Sequence, residues 1–158
     1  MTGLVVADTT LWSNFSHAGN PRLVQQAYPS VASPRAVLDE IFEGQRLGYL
    51  IDHDWTWLPV LELSGAEERA ARTVAAQLDR GEAYCLAAAW TREALLLTDD
   101  RAARRTARAL GVRVGGTLGV LVHLVDSKYL SPTEADQLLA RMLEKGYRSP
   151  VRSLGELG

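Results

Sequence analysis

Leu4-Val5-Val6-Ala7-Asp8 is an uninterrupted apolar run closed by a carboxylate, and Leu95-Leu96-Leu97-Thr98-Asp99-Asp100 repeats the arrangement late in the chain. Short continuous apolar runs of this kind belong to strands covered on both faces, as in a parallel sheet. Working outward, residues 21–28 read as a short helix, and Ser33-Pro34 as N-cap and first residue of a helix over 34–47. Trp57-Leu58-Pro59-Val60 reads as a strand that Pro59 sends to a sheet edge. Ser64 caps a helix whose Ala70, Ala71, Val74 and Leu78 share one face, and Gly81 separates it from a second helix reaching Trp90. Residues 101–110 form the next helix, which Gly111 ends. Val112-Arg113-Val114 is a short strand, Thr117 caps the turn that follows, and 117–125 and 132–145 are the last helices. Alternating strands and helices predict a three-layer α/β/α architecture around a central, mainly parallel sheet. Residues 1–145 are expected to form the single domain and 146–158 a tail without clear pattern.

The chain has 158 residues, the length of one domain. Hydrophobic residues at 47% and charged residues at 23% fit a globular protein and exclude a disordered or disulfide-scaffold chain. A net charge of −2 gives no global basic field for nucleic acid, leaving only local patches. The one cysteine, Cys85, has no partner for an internal disulfide and reads as a small buried hydrophobe. No signal peptide or membrane span is expected, and a cytoplasmic location follows from that reading.

Ligands of such sheets gather at the carboxyl ends of the strands. Asp8, Asp99 and Asp100 are therefore delivered to one edge. Glu40 lies on the helix that starts near Pro34, and Glu82 begins the helix before Trp90. Carboxylates gathered in a small volume repel one another unless a cation neutralises them or some take up protons. An all-oxygen set suits Mg²⁺ or Mn²⁺. Each acid also has a plain alternative: Asp99 or Asp100 capping the helix at Arg101, Glu82 favouring a helix dipole, Glu40 solvated beside Asp39 and Glu43.

Ala7-Asp8-Thr9-Thr10, Val37-Leu38-Asp39-Glu40-Ile41, Leu78-Asp79-Arg80-Gly81-Glu82-Ala83 and Leu97-Thr98-Asp99-Asp100-Arg101 resemble, in order and spacing, the acidic motifs of PIN domains. The run from Leu110 to Gly119 resembles the segment that closes many bacterial members. The resemblance implies a Mg²⁺- or Mn²⁺-dependent ribonuclease, and more narrowly a VapC-like toxin with a cognate antitoxin and a homodimeric state. Its catalytic and metal-binding acids map onto Asp8, Glu40, Glu82 and Asp100. Glu82 stands where many members have Asp, and its longer side chain would reach metal directly or through water. Asp99 is the alternative ligand beside Asp100. The implied reaction is phosphodiester hydrolysis, with Thr10 and Thr98 beside the substrate.

Arg101, Arg104, Arg105 and Arg108 recur at helical spacing and are candidates for holding RNA phosphates, the alternative being a solvated helix face. Trp55 and Trp57 near His53 offer base stacking or, more simply, packing. His17 and His123 have no partner at ligand spacing. Gly115-Gly116-Thr117 lacks the Lys-Ser/Thr of a phosphate-binding loop. A fold retained only for RNA or partner binding is the competing function. An aspartyl-phosphate chemistry is set aside, because Thr10 stands where a second Asp would follow Asp8.

Overall fold

The computed structural model describes residues 3–157 and joins β1 (Val5–Ala7), β2 (Val31–Pro34), β3 (Val60–Leu61), β4 (Leu95–Leu97) and β5 (Val114–Gly115) in one sheet. The strand order is β3-β2-β1-β4-β5, and every pairing is parallel. Val5 lies opposite Leu95 and Ala7 opposite Leu97, so the two apolar runs are central neighbours. The helices are α1 (Thr9–His17), α2 (Leu23–Ala27), α3 (Arg35–Arg46), α4 (Gly65–Val74), α5 (Arg80–Thr91), α6 (Arg101–Ala109), α7 (Thr117–Asp126) and α8 (Pro132–Glu144). α5 packs across β1, β2 and β4, with α4 and α6 against it, while α1, α2, α7 and α8 pack on one another. The result is the expected three-layer α/β/α arrangement.

Trp12, Phe15, Leu86, Leu96 and Leu121 lie fully inside the main core. Trp55 and Trp57 stack with each other and meet Trp12 edge-on, which supports the packing role. Among the described residues no helix is long and apolar enough to cross a membrane.

Several local expectations shift, each for a physical reason. Residues 9–17, for which no element was expected, form α1, because Asp8 caps the backbone N–H groups of Thr10 and Leu11. Ser33 belongs to β2 and caps nothing. Its buried hydroxyl donates to Ala7 O and accepts from Trp12 Nε1, tying sheet to helix, so Pro34 takes the N-cap place of α3. The edge strand expected at 57–60 is β3, displaced to Val60–Leu61. Gly81 separates no helices: Asp79 is the N-cap of α5, and Gly81 lies inside its first turn. Gly116, not Thr117, is the N-cap of α7. Gly111 does end α6, at φ +76°. After Gly146, Tyr147 and Leu154 pack against the main core, and Leu154 N donates to Asp136 Oδ1 at 2.8 Å.

Candidate functional site

From β1 the chain builds outward through β2 to β3, then returns to β4 on the other side. The crevice between the carboxyl ends of β1 and β4 is therefore the point where strand order reverses, the usual ligand position of such sheets. Asp8 stands there, 2% exposed. Its Oδ1 accepts from Thr10 N, Thr10 Oγ1 and Leu11 N, and its Oδ2 from Thr98 Oγ1. Burial pushes its pKa up to about 7 against the pull of these hydrogen bonds.

The two threonines brace β1 against β4. Thr10 Oγ1 accepts from Asp99 N at 3.0 Å, and Thr98 Oγ1 accepts from Asp100 N at 3.1 Å. Both hydroxyls are thereby spent on the carboxylate frame. Thr98, expected beside the substrate, is fully buried and does not line the cleft described below.

The adjacent acids divide their work. Asp100 is the N-cap of α6, with Oδ2 accepting from Ala103 N at 2.9 Å. Asp99 turns to α7: its Oδ1 accepts from Thr117 N, and its Oδ2 from Thr117 Oγ1 and Asn14 Nδ2. It thus supplies the side-chain cap that Gly116 cannot. The start of α6, one of the places expected for Asp99, belongs to Asp100.

Glu40 reaches the edge from α3, its Oε1 accepting from Thr9 Oγ1 at 2.8 Å. The same oxygen lies over Gly81, where an added Cβ would come within 1.8 Å of it. This close approach is why glycine occupies the first turn of α5. Burial raises the Glu40 pKa, and Asp79 and Asp39 add to the rise. Glu82 closes a capping box by accepting from Asp79 N, and its carboxyl lies within hydrogen-bonding reach of Asp100. Burial first, then Asp100 and Asp79, push its pKa up to about 8.

Acids from four separate segments thus lie along one edge. The buried Cys85 thiol beneath them is raised by burial and then by Asp8, Glu40, Asp79 and Glu82 together. Above lies an open cleft of about 650 Å³ whose lining includes Glu40, Asp79, Asp99 and Asp100. Thr10, Ser13, Asn14 and His17, on one face of α1, line its side. Lys145, Tyr147 and Arg148 close it.

The arginine stripe separates. Arg104 Nη1 donates to Thr98 O and Gly115 O, pinning α6 to the sheet ends. Arg101 is exposed and lines the cleft, whereas Arg105 and Arg108 are exposed away from it. Lys145, Tyr147 and Arg148 were missed in the sequence, where no periodic signal ties them to residues more than 40 positions away. The α1 face was legible in principle, since polar Thr10, Ser13, Asn14 and His17 alternate with Leu11, Trp12 and Phe15 at helical spacing.

Among the described residues no group of three or more His, Cys, Asp or Glu side chains stands ready to grip a metal ion. The donor chemistry nevertheless fits a hard divalent cation. All groups are carboxylate oxygens. Two carboxyls as near as Glu82 and Asp100 need a proton or a cation between them. Asp8, Glu40, Glu82 and Asp100 are the residues that would hold it, with Asp99 committed to α7.

A family model described as PIN domain matches residues 4–157. No curated protein matches the chain, and no solved structure does.

Proposed function

The chain belongs to the PIN-domain family, and from that premise we propose that it is a Mg²⁺- or Mn²⁺-dependent ribonuclease working at the β1–β4 edge. What supports the reading is that Asp8, Glu40, Glu82 and Asp100 lie at the carboxyl-end edge of the sheet with no cationic side chain bonded to any of them among the described residues. When bound there, a divalent cation activates water for attack on phosphorus and neutralises charge on the phosphate.

The chain's own groups do the positioning. Thr10 and Thr98 fix the Asp8 carboxylate in one orientation. Asp100 keeps one oxygen on the helix and turns the rest of its carboxyl toward Glu82. Thr9 and the bare Cα of Gly81 hold Glu40 at the margin. Arg101, exposed at the cleft, meets the incoming phosphate backbone.

The finer form of this reading is a toxin restrained by a cognate antitoxin and acting as a homodimer. Phe42, Leu47 and Tyr49, exposed on α3 and the loop after it, supply apolar surface for a protein partner. A short open reading frame with a DNA-binding pattern immediately upstream would support it.

Incubating purified protein with single-stranded RNA in Mn²⁺ and in EDTA tests the activity. Cleavage only with Mn²⁺, abolished in Asp8→Asn and Asp100→Asn variants that melt as the wild type does, is the expected result. RNA binding without metal-dependent cleavage would favour a binding module on the same fold.

A further inference from the structure

A second cavity of about 450 Å³ adjoins the acid edge, and the two share Asp99, Arg101, Tyr147 and Arg148 in their walls. Their charge differs. The cleft sets Glu40, Asp79, Asp99 and Asp100 against Arg101, Lys145 and Arg148, whereas the neighbouring cavity has Arg101, Arg104 and Arg148. Its one acid, Asp99, has both oxygens covered by Thr117 and Asn14. Arg101 and Arg148 are exposed and form no ion pair among the described residues. Tyr147 packs against the core and lines both spaces.

A strand with one phosphate at a carboxylate edge is repelled by that edge and needs cationic anchors beside it. Arginine supplies a planar fork for phosphate, and a tyrosine ring supplies a sequence-tolerant stacking face. We propose that Arg148, Tyr147 and Arg101 form an RNA subsite next to the acid edge, holding the phosphate and base that neighbour the bond to be cleaved. The C-terminal segment, rather than Arg105 and Arg108, then carries the strand away from the site. The inference rests on the nuclease reading for its geometry, but its test measures binding alone.

Fluorescein-labelled oligouridylate of ten nucleotides is titrated in EDTA at several KCl concentrations, with fluorescence anisotropy as readout. Arg148→Gln should weaken binding and lower the salt slope by about 0.7, the loss of one phosphate contact on a single strand. Arg152→Gln removes an equal charge from a residue lining neither cavity and should leave the slope unchanged. An abasic ten-mer of equal charge should bind wild type several-fold more weakly. Equal losses from Arg148→Gln and Arg152→Gln, no change in slope with Arg148→Gln, or an abasic strand bound as well as oligouridylate would each overturn the subsite. If the binding pattern holds but Mn²⁺ brings no cleavage, the nuclease reading falls and the subsite stands. Cleavage by a wild type whose RNA binding ignores Arg148 does the reverse.

Discussion

Glu67 and Asp8 are both buried carboxylates at helix starts, 6% and 2% exposed, and they are treated in opposite ways. Glu67 accepts from Arg92 Nε and Nη2, from Thr91 Oγ1 and from Ser64 N. The Arg92 guanidinium holds its pKa down from 4.5 to about 2. Asp8 receives only neutral hydroxyls and backbone N–H groups, and burial lifts it from 3.8 to about 7. Where the fold uses a carboxylate to join α4 to α5, it provides a cation. At the β1–β4 edge it gathers acids and, among the described residues, bonds no cationic side chain to them, leaving room for a cation from outside.

The largest expected effect comes from taking the cation from Glu67. Arg92→Met leaves a buried carboxylate unpaired and should cost about 3 kcal/mol in urea unfolding. A loss under about 1 kcal/mol would place this pair among ordinary surface bridges and break the comparison. The pair also has a pH signature. A carboxyl whose folded pKa is depressed contributes stability above its unfolded value and loses it as pH falls. The gap between wild type and Arg92→Met should therefore stay constant above about pH 5 and close as pH drops from 4.5 toward 2.

Gly81→Ala sharpens the other side of the comparison. Its Cβ would displace the Glu40 carboxylate, the flexible end of a side chain, while alanine suits a helix. Stability should change by less than about 1 kcal/mol, whereas misplacing one acid should cut RNA cleavage by about 100-fold. Full activity would remove Glu40 from the site.

Asp99→Asn separates edge acids by role. An amide keeps one acceptor, but its NH₂ cannot replace the oxygen that takes both Thr117 Oγ1 and Asn14 Nδ2. The expected cost is about 2 kcal/mol. Asp100→Asn keeps its Ala103 cap, since asparagine caps nearly as well, and should cost under about 1 kcal/mol. Reversed costs in melting curves would reverse the assignment.

The strands bearing these acids were legible because continuous apolar runs need no tertiary information to read. β4 falls at the expected residues, with Asp99 and Asp100 directly after it. β2 was hidden because Ser33 is polar and buried only through bonds to Ala7 and Trp12, which are distant in sequence. The division between Asp99 and Asp100 was hidden for the same reason: it depends on Thr117 and Asn14. Adjacent acids gave no clue to which helix each would cap. Gly81 looked like a break between helices because its reason, the Glu40 carboxylate, lies on another element.

The central claim is that the edge acids are left without a bonded cationic side chain because they take a divalent ion. Thermal melting of wild type and Asp100→Asn in EDTA and in increasing Mn²⁺ tests it most directly. Ligand at ten times its dissociation constant adds about 1.4 kcal/mol to stability, so wild type should melt about 4 °C higher at millimolar Mn²⁺. Asp100→Asn, equally folded in EDTA, should show little or no rise. An unchanged wild-type melting temperature, or an equal rise in both proteins, would contradict the account.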